Sequence, residues 1–338
     1  MNYKIGIVIP CYRSKGLVSQ VTDDVLAVAE KLAPRYLIEI IVVDDGCPEM
    51  SWKDINYNEK IKLLHHTKNQ GVGAACLTGF KYALQNQKDI IVKIDSDGQH
   101  LADYLLEIIP YIIHLPKNNL ALIKGTRYSW AGVDSNTPLS RRIGSLLLEP
   151  IARAALSYRG LTDITNGYLA MNNITCSYLS CVKIASNIES RYLFECSLLE
   201  KCSFLSCEIH QFVMSPKYGD KWKSSMSSKK MILPIFFFWT KSIIRRLLQR
   251  YILRISLGSL LLYTFLISSS AAIYLYANRV GPEISRGVLV SAGTSAAFTT
   301  SISVSILILF LLMVYDYFSG SFVNKVYFRS YIEEIDKK

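Results

Sequence analysis

The sequence lacks the cysteine patterns of metal-binding and secreted proteins. Its eight cysteines are scattered, with no CxxC pair and no Cys/His spacing of a structural zinc site. Cysteines in apolar surroundings are typical of a protein core in a reducing compartment. The chain begins with a strand pattern and not with the pattern of a secretory signal peptide. These absences predict a main domain in the cytosol.

A dinucleotide-binding glycine motif is also missing. The first strand pattern, residues 4–10, runs directly into Pro10-Cys11-Tyr12-Arg13, without GxGxxG. Residues 69–73, NQGVG, resemble that motif only loosely, and a single glycine turn also occurs wherever a helix packs closely against a strand. NAD binding is therefore disfavoured.

Acidic residues are scarce between residues 215 and 254, where ten Lys or Arg stand against the single acid Asp220. This segment carries +9 of the formal net charge of +11. A nucleic-acid-binding protein usually spreads its basic face over the folded domain, whereas a basic block before an apolar span is typical of a cytoplasmic membrane surface. The predicted partner is a membrane and not a nucleic acid.

Apolar residues are abundant, at 50% of the chain with a mean hydropathy of +0.22, and the excess lies at the C-terminal end. Residues 255–277 and 288–315 are each long enough to cross about 30 Å of hydrocarbon as a helix. Basic residues beyond both outer ends predict that these ends lie in the cytosol, with a short external loop at residues 278–287. Buried helices of a soluble core are the alternative. Gly293, Ala296 and Ala297 would permit close packing, within the pair or in a homo-oligomer.

The segment before the first span has an amphipathic pattern. Its apolar face comprises Ile244, Leu247, Leu248, Tyr251 and Ile255. Arg246, Arg250 and Arg254 lie on another face, as in a helix resting on an anionic bilayer. The predicted organisation is a main domain at residues 1–228, a juxtamembrane segment at 229–254, two transmembrane helices within 255–316, and a cytosolic tail at 317–338.

Strand and helix patterns alternate in the main domain. Strand patterns at residues 4–10, 37–43 and 63–65 alternate with helix patterns at 17–32 and around 73–84, and another apolar strand leads to Asp95. This order predicts an α/β, Rossmann-like domain with a mostly parallel sheet, whose ligand site lies beyond the carboxyl ends of the strands.

Two acidic turns fall at that edge of the predicted sheet. Asp44-Asp45 follows one buried strand and Asp95-Ser96-Asp97 follows another. Charged carboxylates are costly to bury without a partner, and oxygen ligands suit Mg or Mn, which bridge carboxylates to substrate phosphates. The alternative is a strand-end turn in which the side chains satisfy their own backbone.

Eight motifs occur in an order that resembles a known family. They are IVIPCYR, VVDDG, NQGVGAACLTGF, DSDGQH, GTRY at 125–128, SRRIGS at 140–145, DITNGY at 163–168 and RYLFE at 191–195. Their order and spacing resemble the family-2 glycosyltransferases of GT-A fold, in particular the polyprenyl-phosphate glycosyltransferases typified by dolichyl-phosphate mannose synthase. The resemblance extends over residues 4–226.

The resemblance implies a nucleotide-sugar site. It implies that Asp45 contacts the nucleotide base, with Pro10 and Tyr12 lining the pocket. Asp95, Asp97 and Gln99 match positions that hold the diphosphate of a UDP- or GDP-sugar through Mg or Mn, with Asp97 as the principal ligand.

The resemblance also implies an acceptor site. Arg127, Arg141 and Ser145 match positions that contact a phosphate, which suits the fork of an arginine. On a helix, residues 141 and 145 would share one face. Asp163, Asn166 and Gly167 are expected in the sugar pocket, with Asp163 also the candidate base if the acceptor is a hydroxyl group.

Three further positions are implied less directly. Glu195 is either another acid of the pocket or a structural helix acid. Lys217 and Lys223 match a basic loop that closes over the diphosphate, although Trp222 looks inserted there and Val72 replaces a basic residue common in the family's glycine turn.

The implied activity is inverting transfer of one sugar to a polyprenyl phosphate. The short two-span anchor favours undecaprenyl phosphate as the acceptor. The predicted protein is a multi-pass enzyme of the inner membrane whose catalytic domain lies in the cytosol. One alternative is transfer to a sugar hydroxyl of a lipid-linked oligosaccharide, which needs a base. Another is a membrane scaffold that retains a non-catalytic domain.

Overall fold

The computed structural model describes residues 3–33, 35–56, 58–129, 132–133, 139–215, 228–252 and 255–326. The chain forms two structural units, one made of residues 1–239 together with 322–338, and the other of residues 240–321. The predicted sites at Lys217 and Lys223 lie outside the described residues, as does the side chain of Arg141.

Twelve strands occur in the described ranges. They are β1 Tyr3–Cys11, β2 Tyr36–Asp44, β3 Ile61–His65, β4 Ile90–Lys93, β5 Ala121–Thr126, β6 Tyr128–Ser129, β7 Gly132–Val133, β8 Tyr158–Arg159, β9 Leu169–Asn172, β10 Glu208–Val213, β11 Ser321–Phe322 and β12 Asn324–Val326.

Eleven α-helices occur in the same ranges. They are α1 Val18–Leu32, α2 Val72–Gln85, α3 Leu105–His114, α4 Leu139–Leu156, α5 Asn173–Ser180, α6 Val182–Ala185, α7 Phe194–Phe204, α8 Ser228–Leu247, α9 Leu257–Leu275, α10 Gly281–Ser285 and α11 Ala292–Phe318. Short 3-10 helices lie at Ser51–Asp54 and Ala102–Tyr104, and π-helical turns at Leu248–Ile252 and Tyr276–Val280.

The main sheet has eight strands in the order β12-β10-β5-β9-β4-β1-β2-β3. Pairing is parallel throughout except at β9, which is antiparallel to both β4 and β5. The predicted mostly parallel α/β sheet is therefore confirmed. Strand β9 brings the chain back between β4 and β5, so the DITNGY segment that precedes it lies between the ends of those two strands.

The strands are apolar because they are covered on both faces. Residues 5–11 of β1 are all buried, which explains their continuous apolar run in place of an alternating pattern. Helix α1 covers one face through Val18, Val21, Val25 and Leu32, spaced three, four and seven residues apart. This helix, α3 and the central strands contribute to one buried cluster.

The second unit contains the two apolar helices. Helix α9 with its continuation to Ser285, and α11, are long and apolar enough to cross a membrane. Ser256 and Ser259 form a capping box at the start of α9, and Ser305 donates to Ser268 across the helix pair at 2.8 Å. The predicted loop at residues 278–287 is mostly helical, because helix α10 extends through Ser285.

Arg246 forms an ion pair that the amphipathic pattern did not predict. It is only 6% exposed, and both of its terminal nitrogens donate to Asp316 at 2.6 Å within the second unit. The amphipathic pattern could not reveal this pair, because its acid lies seventy residues further along the chain.

The described residues after the second span include a strand of the main sheet. Strand β12 pairs in parallel with β10 at the edge of the main sheet, with Gln211 opposite Lys325. Both ends of the second unit therefore continue into the unit that contains the sheet.

Candidate functional site

A cavity of about 90 Å³ lies at the carboxyl end of β4. Its lining comprises Asp95, Asp97, Gln99, His100, Arg127, Thr165, Asn166, Gly167 and Met214. Three predicted groups are thus brought together: the DSDGQH turn, the arginine of GTRY and the DITNGY segment. Two carboxylates, those of Asp95 and Asp97, therefore line the same cavity as the guanidinium of Arg127.

Gln99 holds the carboxylate of Asp97. Its backbone N–H donates to one oxygen of Asp97 at 3.1 Å, and its side-chain nitrogen donates to the other at 2.6 Å. Gly98, between them, has a φ of +76°, a left-handed conformation that suits glycine. The turn therefore presents Asp97 in a fixed orientation.

His100 lies behind the same turn and lines the cavity. Its Nδ1 accepts a hydrogen bond from the backbone N–H of Asp95 at 3.2 Å, and its ring centroid is 5.1 Å from that of Tyr168. Burial lowers the pKa of the imidazole. A neutral ring that accepts through Nδ1 carries its proton on Nε2.

Lys93, at the end of β4, was not predicted as a site residue. Its ammonium is completely buried and lies 2.6 Å from Oδ1 of Asp95 and 2.9 Å from Oε1 of Glu195. Burial alone would lower the pKa of Lys93, but the carboxylates of Asp95 and Glu195 outweigh it and raise that pKa well above its ordinary value. Glu195, in the first turn of α7, is thus held in an ion pair and does not line the cavity.

Gly167 permits this arrangement. A Cβ atom at this position would collide with Oδ2 of Asp95 and would lie 2.5 Å from the ammonium of Lys93. Glycine is therefore needed here for close approach of the backbone to the two charged side chains. The adjacent Asn166 donates to Oδ2 of Asp163 at 3.1 Å.

Asp163 forms a buried ion pair with Arg127 that the sequence analysis did not predict. Its carboxylate is completely buried and accepts from the backbone N–H of Arg127 at 3.0 Å, from its Nε at 2.7 Å and from a terminal nitrogen of the same guanidinium. Burial would raise the pKa of this carboxyl, but Arg127 and Lys124 lower it well below its usual range. Asp163 therefore holds the guanidinium of Arg127. Its contact with a sugar hydroxyl, or its service as a base, stays a prediction.

Lys124, on β5, is a second buried lysine that the sequence analysis missed. Its ammonium donates to the backbone carbonyls of Gly125, at 3.2 Å, and of Asp163. Burial lowers its pKa to about 8. Both lysines are visible in the sequence as single charges in apolar strands, IIVK and ALIK, and this is the signal that could have identified them.

Helix α4 carries the remaining acceptor candidates. Ser145 hydrogen-bonds the side chain of Tyr128, whose pKa burial raises to about 12. Glu149, one turn further along, accepts from the backbone N–H of Asp163 at 2.8 Å. Ser145 therefore lies near the arginine segment, although it does not line the cavity.

Asp45 stabilises the glycine turn through hydrogen bonds. Its oxygens accept from the backbone N–H groups of Gln70 at 2.9 Å and Gly71 at 2.7 Å, and Nδ1 of His66 lies 2.7 Å away. Gly71 has a φ of +102°, and its missing side chain leaves room for the carbonyl of Ser190. Asp45 is only 2% exposed. Its contact with a nucleotide base stays a prediction.

Pro10 and Tyr12 lie at the carboxyl end of β1, beside β4 in the sheet. Pro10 pairs with Val43, and Tyr12 is 38% exposed. Neither residue lines the cavity, so their place in a nucleotide pocket also stays a prediction.

The cavity has the donor set of a Mg or Mn site. Asp95 and Asp97 both line it, and carboxylate oxygens are the ligands that these cations prefer. Among the described residues no three His, Cys, Asp or Glu side chains form a complete metal cage. The residues fit a cation that completes its coordination with oxygens of a substrate.

Comparison with known proteins identifies the family. The dolichol-phosphate mannosyltransferase of Pyrococcus furiosus is 28% identical over 172 residues, which cover 50% of this chain and 46% of that protein. The undecaprenyl-phosphate mannosyltransferase of Micrococcus luteus is 32% identical over 136 residues, covering 39% of this chain and 54% of that one. The chain thus spans about half the length of these two relatives.

Among solved structures, mannosyl-3-phosphoglycerate synthase from Rubrobacter xylanophilus has a TM-score of 0.50 at 15% identity, over 73% of this chain and 74% of that one. At this identity the likeness concerns the fold, and it agrees with the predicted GT-A architecture. The family model described as glycosyl transferase family 2 matches residues 6–176. The chain, whose main sheet and acidic turns fall largely within that match, belongs to glycosyl transferase family 2.

Proposed function

We propose that this protein transfers one sugar from a nucleotide-diphosphate sugar to a polyprenyl phosphate, with inversion, at the cytosolic face of a membrane. The observation that carries the proposal is the cavity itself, in which Asp95 and Asp97 face the same space as Arg127. Carboxylates that suit a cation–diphosphate and an arginine that suits a phosphate are the two recognition elements that this reaction requires.

Asp95 and Asp97 would hold Mg or Mn together with the donor diphosphate, with Asp97 oriented by Gln99. When bound, the cation would neutralise charge that develops on the departing nucleoside diphosphate. Pro10, Tyr12 and Asp45, at the ends of β1 and β2, are proposed to receive the nucleoside.

Arg127 would bind the acceptor phosphate, and Arg141 and Ser145 of α4 are proposed to assist it. Asp163 holds the Arg127 guanidinium through two of its nitrogens. A phosphate monoester is already anionic near neutral pH, because its second pKa is about 6. Its oxygen can therefore attack the anomeric carbon without a protein base.

The buried state of Asp163 favours a phosphate acceptor over a hydroxyl acceptor. A hydroxyl must lose its proton to a base, and Asp163 was the predicted base. Asp163 has a lowered pKa and lies outside the lining of the cavity. His100 lines the cavity, but its Nδ1 already accepts the Asp95 N–H. Among the described residues, neither candidate is arranged to take a proton from a hydroxyl.

The second unit supports membrane attachment. In the most apolar stretch of each long helix, only 6% and 11% of the residues are buried. This low burial argues against core helices of a soluble protein. Basic residues precede the first span, and β12 follows the second within the main sheet. We propose that both outer ends, and the family-2 domain, lie in the cytosol.

The relatives support the acceptor class and leave the sugar open. Their names specify mannosyl transfer in Pyrococcus furiosus and Micrococcus luteus, and transfer of N-acetylglucosamine from UDP to dolichyl phosphate in Methanococcus voltae, at 29% identity over 192 residues. Polyprenyl phosphate is the feature common to these names. Undecaprenyl phosphate is the acceptor proposed here.

The test uses the purified full chain in lipid nanodiscs. Radiolabelled UDP- and GDP-sugars are supplied with Mn or Mg and either undecaprenyl phosphate or undecaprenol. We expect label in the lipid phase with the phosphate alone, abolished by Asp97→Asn and retained by Asp103→Asn, which removes a nearby exposed acid. Transfer to undecaprenol, or no lipid-phase product with any donor, would refute the proposal.

A further inference from the structure

Two lysines are completely buried at the same level of the main sheet. Lys93 of β4 and Lys124 of β5 both pair with Leu169 of β9, which lies between them. Directly opposed residues in neighbouring strands point to the same face of a sheet. A buried ammonium is costly unless partners compensate it, so two of them at one level require an explanation.

The partners of Lys93 belong to the side of the cavity that carries the acidic turn. Its ammonium contacts Oδ1 of Asp95 at 2.6 Å and Glu195 at 2.9 Å, and it lies 6.0 Å from the ring centroid of Phe194. One oxygen of Asp95 is thereby fixed against a rigid strand, and the other lies against Gly167. The contact with Lys93 therefore sets the orientation of the Asp95 carboxylate.

The partners of Lys124 belong to the arginine side. Its ammonium donates to the backbone carbonyl of Asp163, a residue whose φ of +50° lies in the left-handed region. This conformation is uncommon for residues other than glycine, and Asp is one of the few that adopt it readily. Lys124 thus anchors the peptide whose carboxylate orients the guanidinium of Arg127.

A single loop joins the two arrangements. Residues 163–167 begin at Asp163, which Lys124 holds, and end at Gly167, which lies against Lys93 and Asp95. Asn166, inside the loop, donates to the carboxylate of Asp163 at 3.1 Å. A loop with a buried lysine at each end therefore contacts Arg127 through Asp163 and lies against Asp95 at Gly167.

We propose that Lys93 and Lys124 are a matched pair of positioning residues, Lys93 for the cation and donor diphosphate through Asp95, and Lys124 for the acceptor phosphate through Asp163 and Arg127. The inference rests on the proposed function, because it assigns the two halves of that site to separate supports. Neither lysine touches a substrate in this assignment.

A purely structural role makes a different prediction. If the lysines only satisfied buried carboxylates and carbonyls, their removal would lower stability and impair both halves together. If Lys93 only balanced charge, its removal would strengthen cation binding, because a positive charge would be lost beside the site. Positioning predicts weaker cation binding, confined to Lys93.

The experiment compares Lys93→Met and Lys124→Met in the full chain, with Lys88→Met as control, since Lys88 is also ion-paired but outside the cavity. Mn2+ binding is measured by electron paramagnetic resonance without substrates, and KM is measured for donor and acceptor. Lys93→Met leaves two carboxylates without their shared lysine, so Lys93→Met/Glu195→Gln is included as a variant with one carboxylate fewer.

For Lys93→Met and the double variant we expect the Kd of Mn2+ and the donor KM to rise by about tenfold or more, in the range typical of supports behind metal ligands. Acceptor KM should stay within about twofold. For Lys124→Met the pattern should reverse, with acceptor KM about tenfold higher, as expected when a binding group is displaced, and Mn2+ binding unchanged. The half that each variant retains also shows that it is folded.

Equal effects on both halves, no effect in folded variants, or tighter Mn2+ binding in the double variant would overturn the inference. These outcomes are separable from failure of the proposed function, which is decided by lipid-phase transfer in the unmodified chain. A wild-type enzyme that transfers sugar, with lysine variants that show no such division, would refute only the positioning roles.

Discussion

The carboxylate of Asp163 holds the guanidinium of Arg127 side-on, with Nε 2.7 Å from Oδ2 and a terminal nitrogen bonded to Oδ1. The pair is buried, with 7% of the Arg127 side chain and none of Asp163 exposed. Such fork-to-fork pairing restricts the guanidinium plane as well as its position. The edge of Arg127 at the cavity is therefore pre-organised before any ligand binds.

Asp163→Asn should reduce acceptor affinity although Asp163 lines no part of the cavity. An amide cannot accept both guanidinium bonds as a charged carboxylate does, so Arg127 should lose its fixed plane. We expect kcat/KM for the lipid acceptor to fall roughly 100-fold, with nucleotide-sugar binding retained in calorimetry. Unchanged acceptor kinetics would mean that Arg127 needs no such support.

The same ion pair should determine part of the acid sensitivity of the fold. The pKa of Asp163 in the folded protein lies below its ordinary value of 3.8. Its stabilisation is therefore complete above about pH 5 and is lost as the pH falls through 3.8 towards the lowered pKa. Denaturant unfolding followed by fluorescence should show a shallower loss of stability between pH 5 and pH 3 in Asp163→Asn. Parallel curves for the two proteins would contradict this assignment.

Gly167→Ala should disturb the acidic turn. The added methyl group would collide with Asp95 and approach the Lys93 ammonium to 2.5 Å, and either group can move away only by weakening the ion pair between them. We expect destabilisation of about 1–3 kcal/mol and weaker Mn2+ binding, measured by thermal unfolding and by resonance titration. Gly293→Ala, at a position with open space, is the control. Wild-type Mn2+ affinity in Gly167→Ala would show that Asp95 is not needed there.

Gln99→Ala should weaken cation binding through Asp97. The substitution removes the 2.6 Å bond from the side-chain nitrogen and leaves the backbone bond at 3.1 Å. We expect the Kd of Mn2+ to rise about tenfold. In calorimetry, the affinity for a nucleoside diphosphate should be highest for the wild type, lower for Gln99→Ala and lowest for Asp97→Asn. EDTA should remove tight binding in all three. Nucleotide binding that persists in EDTA would argue against a cation in this cavity.

Arg246 and Asp316 should stabilise the second unit as a pair. Their side chains are 7% and 20% exposed, and Tyr251 also donates to the acid. Arg246→Met should cost about 2–3 kcal/mol, below the roughly 3–5 kcal/mol of a fully buried pair because Asp316 retains some solvent. The exchange Arg246→Asp/Asp316→Arg should recover part of this loss in thermal unfolding in detergent. No recovery would mean that packing, and not charge, holds the contact.

Local patterns in the sequence were enough to predict the first four strands, the two long apolar helices and the acidic turns. Residues 5–11 of β1 form a continuous run without polar residues, because both faces of a central strand are covered. Such a run can be recognised from the sequence alone. The same holds for the apolar length of α11. Each of these features depends on residues adjacent in the chain.

The partners of the site residues depended on tertiary structure. Asp163 contacts Arg127, which lies 36 positions away in the sequence, and Lys93 contacts Glu195, which lies 102 positions away. No local pattern distinguishes a carboxylate that faces a cavity from one that is enclosed by an arginine. The pairing of Asp163 with Arg127 was therefore not predicted, and both lysines were overlooked.

By itself, the sequence determined the order of the elements from β1 to β4, the apolar spans and the placement of Asp95 and Asp97 after a buried strand. It could do so because backbone preference and apolar periodicity act over short distances. Only the tertiary structure decided that β9 returns antiparallel between β4 and β5. That return brings residues 163–167 against two buried lysines, and it places the same loop in contact with Arg127 and against Asp95. Such pairing is a property of long-range packing, where burial and charge compensation select the partner.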